Sequence, residues 1–167
     1  ANAVVTWNPQ LTEAAKVKNA KLVFDSHQIP AEILDLLAVD TATLKANPNL
    51  GKALAGIWYE TITLMQRKDA AGAAARAAMA KMAGSSPQAF DAQLTTTYLY
   101  GTPQDALAAL KAPALVTTMA KVRDFSFSKG LFGSGAKSPD AIGIGLPGGK
   151  TLGDAKNVKL RFDPTFM

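Results

Sequence analysis

The first forty residues alternate between short apolar runs and polar interruptions. The runs at residues 3–7, 21–24 and 33–39 are rich in Val, Leu, Ile, Phe and Trp, and each is followed by polar or turn-forming residues. Short runs of β-branched and aromatic residues bounded in this way predict buried strands. We therefore expect three strands here, with a weak helical turn over residues 10–18 between the first two.

From residue 47 onward the pattern becomes helical. Apolar residues between Leu50 and Met65 recur at three- and four-residue spacing, which predicts one long amphipathic helix whose apolar face, including Trp58, packs into a core. Gly84 and Gly130 lie where helix C-caps belong. Three pairs of an N-cap residue and a proline predict helix starts: Asn47-Pro48, Ser86-Pro87 and Thr102-Pro103.

The last part of the chain changes character again. Residues 130–151 are rich in glycine, which predicts an irregular, loop-rich segment. Residues 158–162 alternate apolar and basic side chains, as a last short strand would. Few short strands among many helices predict a helix-rich α/β chain, and the small number of strands suggests that their sheet partners lie outside this sequence.

Composition agrees with a single globular domain. The chain has 167 residues, of which 48% are hydrophobic and 19% charged, and it contains no cysteine. Disulfides, thiolate catalysis and cysteine-based zinc sites are therefore excluded. No apolar run approaches the length of a membrane span, so we expect a soluble chain. Residues 1–6 show no signal peptide.

The net charge of +5 raises the question of nucleic-acid binding. Residues 1–60 contain five Lys and Arg against six Asp and Glu, whereas residues 61–167 contain thirteen against seven. The basic residues are scattered singly and never form a run of four. Nucleic-acid binders cluster such residues on one stripe, so this distribution indicates a solvated surface and no nucleic-acid partner.

Two local patterns resemble chemical sites without meeting their requirements. The segment 143–151 ends in Gly149-Lys150-Thr151 like a phosphate-binding loop, but the required first glycine would fall at Ile144 and no helix start follows. His27 is the only histidine, and no nucleophile pattern accompanies it. We therefore expect no enzyme, no catalytic residues, no metal and no cofactor.

Polar side chains follow two of the predicted strands. Asp25, Ser26, Gln28 and Glu32 follow the second strand, and Trp7-Asn8 lie at the end of the first. Ligands of open α/β sheets bind at the carboxyl ends of strands. Carboxylates with an aromatic plane suit an organic cation through charge-assisted hydrogen bonds and a cation–π contact. The alternative is that Asp25 and Ser26 only cap a turn and Trp7 fills the core.

Several stretches resemble a known protein family. Residues 3–10, with Trp7-Asn8-Pro9, resemble the Trp-x-Pro segment of the nitrate/sulfonate/taurine-type periplasmic binding proteins of ABC importers. Residues 24–33, residues 47–54 and Trp58-Tyr59-Glu60 look similar in order and spacing. Residues 147–155 and 158–163 look like the subgroup encoded beside urea carboxylase-type enzymes, thought to act on guanidine.

The resemblance implies part of a two-lobed type II periplasmic binding protein fold. Residues 1–28 would finish lobe two and residues 29–167 would return into lobe one. The protein would be a periplasmic monomer that delivers a small nitrogen-containing solute, such as guanidine, to a membrane permease. Asp25 or Glu32 would pair with the guanidinium and Trp7 would stack on its plane. The implied ligand-binding residues are Trp7, Asn8, Asp25, Ser26, Gln28 and Glu32.

Two other functions remain open at this point. The same two-lobed scaffold serves as the effector-binding domain of some transcription regulators, which an upstream helix-turn-helix segment would reveal. It also serves an enzyme that makes a pyrimidine precursor of thiamine, which relies on histidine and other reactive groups that this sequence does not show.

Overall fold

The computed structural model describes residues 2–167 of the chain, and over these residues it contains seven α-helices and three short β-strands. The helices are α1 (Gln10–Ala15), α2 (Thr41–Ala46), α3 (Pro48–Gln66), α4 (Ala70–Met82), α5 (Pro87–Leu94), α6 (Pro103–Lys111) and α7 (Pro113–Ser128). The strands are β1 (Gly143–Gly145), β2 (Thr151–Gly153) and β3 (Val158–Arg161). Helix-rich α/β structure is therefore confirmed.

The chain divides into two compact units. Unit 1 contains the residues up to Asp25 together with Gly56–Gly101, and unit 2 contains Ser26–Ala55 and Thr102–Met167. The predicted boundary after residue 28 concerns the lobes of a larger protein and stays a prediction, as does the two-lobed fold itself. No helix among residues 2–167 combines the length and hydropathy that a membrane span requires.

Unit 1 is built on the packing of α4 against α5. Ala80 of α4 is fully buried, and Ile62 of α3 is only 3% exposed. The Asp69 carboxylate caps α4 by accepting a hydrogen bond from Gly72 N, and Ser86 Oγ caps α5 by accepting one from Ala89 N. These caps satisfy backbone N–H groups that the first turn leaves unpaired.

Unit 2 surrounds a small mixed sheet in the order β2-β1-β3. The central strand β1 pairs antiparallel with β2 and parallel with β3. Ile144, Leu146 and Phe162 from the sheet region are buried in one apolar cluster with Leu115 and Met119 of α7. Five side chains that are each less than a tenth exposed thus form the core of this unit.

The predicted helix boundaries are largely confirmed. Pro48, Pro87 and Pro103 each begin a helix, and Thr102 Oγ1 caps α6 by accepting from Asp105 N at 3.2 Å. Gly84 and Gly130 follow α4 and α7 with φ of 65° and 72°. This left-handed conformation costs glycine little, which explains why the helices stop there.

The three strands predicted in the first forty residues are wrong. Residues 3–7, 21–24 and 33–39 are not strands. Most of their apolar side chains are exposed, such as Val5 at 101%, Val23 at 89% and Leu37 at 60%, whereas Leu34 is half-buried against the core of unit 2. Over the described residues, no backbone–backbone hydrogen bond involves residues 3–6, 21–24 or 33–39. Strand-forming side chains indicate a segment that fits a pleated surface, but a strand also needs a neighbouring strand, and none of residues 2–167 pairs with these segments.

The prediction of an irregular segment over residues 130–151 is also partly wrong. Gly143, Ile144 and Gly145 form the buried central strand β1. A Cβ at Gly143 would lie 2.2 Å from the carbonyl oxygen of Asp154, so the close approach of the two backbones requires glycine. The last strand, expected at residues 158–162, is confirmed as β3.

The chain leaves an unusually large surface in contact with water. Its accessible area is 11964 Å². A folded monomer of 17.5 kDa exposes about 7,900 Å², and two separate folded units of the sizes found here would expose about 9,500 Å² together. The apolar face of α3 contributes to the excess, because Ile57 is 60% and Trp58 48% exposed. The prediction that Trp58 packs into a core is therefore wrong.

Candidate functional site

Trp7 and Asn8 lie immediately before α1 in unit 1. The Trp7 side chain is 79% exposed, so the alternative that it fills a core is wrong. Its backbone carbonyl accepts a hydrogen bond from Leu11 N at 2.8 Å. Asn8 is half-buried, and its Oδ1 accepts a hydrogen bond from Thr12 Oγ1 at 2.9 Å. The start of α1 thus holds the backbone of residues 7 and 8 and leaves the indole plane open to solvent.

Asp25 is the half-buried residue that precedes a short 3₁₀ turn, Ser26–Gln28. The turn is closed by Ile29 N, which donates to the carbonyl oxygen of Ser26 at 3.1 Å. Ser26 and Gln28 are exposed. The turn therefore presents the Ser26 hydroxyl and the Gln28 amide to solvent.

Glu32 follows this turn in unit 2. Its Oε1 accepts from Lys121 Nζ of α7 at 3.3 Å, and the two side chains are 35% and 65% exposed. An exposed ion pair of this kind contributes about 0–1 kcal/mol, so Lys121 can be displaced at little cost. A cationic solute bound at Glu32 would compete with the Lys121 ammonium for this carboxylate.

The six predicted residues fall into two groups in the structure. Trp7, Asn8 and Asp25 belong to unit 1, whereas Ser26, Gln28 and Glu32 belong to unit 2. Ser26 and Gln28 lie together in the 3₁₀ turn. Within residues 2–167 no group of three or more His, Cys, Asp or Glu side chains is arranged to hold a metal ion.

The phosphate-loop-like segment has a different structure from a nucleotide site. Thr151 begins strand β2, where a phosphate-binding loop would begin a helix. Gly148 and Gly149 both have φ of 78° in the turn between β1 and β2, and Lys150 is exposed at its end. The interpretation of these residues as a glycine-rich surface turn is therefore confirmed.

One surface feature lies outside every sequence-based prediction. A groove of about 580 Å³ runs along the α6–α7 junction and the turn that follows β1, with Lys111 and Lys150 at its border. The only sequence signal for it was the Gly-Lys pair at 149–150. Nothing in the sequence links that pair to Lys111, because only the packing of unit 2 places both lysines along one groove.

Comparison of the chain with protein-family models, curated proteins and solved structures found no match.

Proposed function

We propose that this chain is part of a solute-binding protein of an ABC importer that captures a small nitrogen-containing cation such as guanidine. The observation that carries the proposal is the set of exposed apolar side chains in residues 3–7, 21–24 and 33–39, segments that form neither helix nor strand in this structure. Such segments are expected where strands pair with a further part of the protein. In a two-lobed binding protein, the carboxyl ends of these strands would line the cleft.

The residues that follow these segments support the choice of ligand. An exposed indole at Trp7 offers a face for a planar cation, and a cation–π contact contributes about 0.5–2 kcal/mol. Asp25 and Glu32 provide carboxylates that a guanidinium can engage through paired N–H···O bonds. A neutral solute such as urea would gain less from these carboxylates, so it ranks below guanidine.

The periplasmic location, the permease partner and the monomeric state belong to the same proposal. They follow from the resemblance of residues 3–10, 24–33 and 147–155 to the nitrate/sulfonate/taurine-type binding proteins. A solute that binds with a Kd of about 1 μM has a binding free energy of about −8.2 kcal/mol. Because one cation–π contact and one or two charged hydrogen bonds fall short of that value, residues elsewhere in the protein must contribute.

The test is a calorimetric titration of the intact protein with guanidinium chloride at sub-millimolar concentration. The variants are Trp7→Leu, Asp25→Asn and Glu32→Gln, and the matched control is Asp35→Asn, an exposed acid on the same stretch. We expect Trp7→Leu and at least one of the two acid variants to weaken binding about tenfold, or 1.4 kcal/mol, and the control to bind normally. The absence of saturable binding, or equal binding by all variants, would overturn the proposal.

A further inference from the structure

The groove at the α6–α7 junction has the size of a small-molecule site. Its volume of about 580 Å³ lies within the range of about 300–1,000 Å³ that is usual for ligand pockets. It belongs entirely to unit 2. None of the six residues predicted to bind the solute lines it, so it is a separate feature of the surface.

The walls of the groove are apolar and held in place by the core. Leu146 is 6% exposed and belongs to the central apolar cluster, against which Leu110 and Val116 also pack. The turn on the opposite side is closed by Leu146 N, which donates to the carbonyl oxygen of Lys150 at 2.8 Å. The groove is therefore preformed, and a ligand would not have to order it.

The charge of the groove has one sign. Lys111, the last residue of α6, and Lys150 are both exposed at its border, and the described lining contains no acidic residue. Over residues 2–167, neither ammonium takes part in an ion pair or side-chain hydrogen bond. Asp163, next to the lining residue Pro164, is not part of the lining; its Oδ1 accepts from Thr165 N at 3.0 Å and Thr165 Oγ1 at 2.6 Å.

From these observations we infer that the groove binds a small amphipathic organic anion. Its carboxylate or sulfonate pairs with Lys111 and Lys150, and its apolar body covers Leu146 and the neighbouring wall. Apolar walls with few charged groups are the usual composition of such sites. A ligand with the opposite charge would meet two ammonium groups and no carboxylate, so the groove selects against cations.

Octanoate and octylammonium provide a matched pair of probes, because they share an apolar chain and differ in the charge of the head group. The intact protein is titrated with each by calorimetry, below the concentration at which they aggregate. The test variant is Lys111→Gln with Lys150→Gln, and the control is Lys159→Gln, an exposed lysine of β3 in the same unit. Circular dichroism confirms that each variant is folded.

We expect one octanoate to bind per chain, no saturable binding of octylammonium, and at least tenfold weaker octanoate binding in the double variant than in the control. Lys111→Arg with Lys150→Arg should restore binding, since the charge is kept. Equal binding of the two probes would indicate adsorption to exposed apolar surface and would overturn the inference. It would also be overturned if the double variant bound octanoate as well as the control.

Discussion

Arg76 Nε of α4 lies 2.8 Å from the Asp91 carboxylate of α5. The same guanidinium donates from Nη1 to the carbonyl oxygens of Met65 and Arg67, each at 2.8 Å. The Arg76 side chain is only 17% exposed, whereas that of Asp91 is 52% exposed. One half-buried side chain thus joins α4, α5 and the end of α3 within unit 1.

We expect the carbonyl contacts of Arg76 to matter more than its ion pair. Arg76→Met should lower the free energy of unfolding by about 1–3 kcal/mol, because it leaves carbonyl groups without their donor. Asp91→Asn should cost less than about 1 kcal/mol, since a half-exposed ion pair is weak. Urea denaturation measures both, and equal losses in the two variants would contradict this assignment.

Asp69 and Asp40 make the free energy of unfolding depend on pH in the acidic range. The Arg67 guanidinium, and then the Gly72 N–H, hold the pKa of Asp69 below its ordinary value of 3.8. The Thr43 N–H has the main part in lowering the pKa of Asp40. A carboxyl whose pKa is lower when folded stabilises the fold above its unfolded pKa, and this contribution is lost as the pH falls through the folded pKa.

Stability should therefore be constant near neutral pH and fall once the pH drops below about 4. Asp69→Asn keeps a capping side chain without the titrating group, so it should flatten part of this fall, whereas Asp69→Ala should also shorten α4 at neutral pH. Thermal unfolding followed by circular dichroism between pH 2.5 and 7 measures both effects. An Asp69→Asn protein with the same acid dependence as the parent would contradict the assignment.

Gly153 of β2 combines a left-handed backbone with a close neighbour. Its φ is 73°, and a Cβ there would lie 2.1 Å from the carbonyl oxygen of Ile142. Gly133 has a similar φ of 81° but open space around it. Gly133→Ala should cost about 1–2 kcal/mol from backbone strain alone, and Gly153→Ala clearly more, because the sheet must also shift. Urea denaturation measures the loss of stability in both variants, and equal losses for Gly133→Ala and Gly153→Ala would contradict this prediction.

Trp7 should report the binding of a planar cation. The chain has two tryptophans, so Trp58→Phe leaves Trp7 as the single indole fluorophore. We expect guanidinium to change the Trp7 emission saturably in that variant, because the cation would stack on an indole that is 79% exposed without it. The converse variant, Trp7→Phe, should show no saturable change. A response from Trp58 alone would place the cation elsewhere.

Local signals predicted the helical part of the fold well. Helix starts and ends depend on contacts with the backbone of adjacent residues, so a short stretch of sequence is enough to predict them. This applies to the N-caps Ser86 and Thr102 and to the C-terminal glycines Gly84 and Gly130. The same holds for β3, whose alternation reflects one exposed and one half-buried face. Strand β1 was missed because Gly143 is required by the close approach of the backbone at Asp154, and no local pattern records that approach.

The predicted strands and the site depended on partners that a local pattern cannot supply. Residues 3–7 have the composition of a strand, but pairing is decided by a second segment, and within the described part of the chain no segment pairs with them. Trp7 is exposed for the same reason, because no segment among the described residues pairs with residues 3–7 and covers it. The sequence could not predict that Lys111 and Lys150 line one groove, because 39 positions separate them and tertiary packing places both there. The residues predicted to bind the cation stay a prediction.

The measurement that tests the central claim most directly is hydrogen–deuterium exchange at residues 3–7, 21–24 and 33–39 of the intact protein. If these segments pair as strands of a solute-binding protein, their amides will exchange as slowly as those of helix α7 around the buried residues Leu115 and Met119, and guanidinium will slow them further. If they exchange as fast as an unstructured peptide, with or without guanidinium, the segments are not strands and the proposed function is wrong.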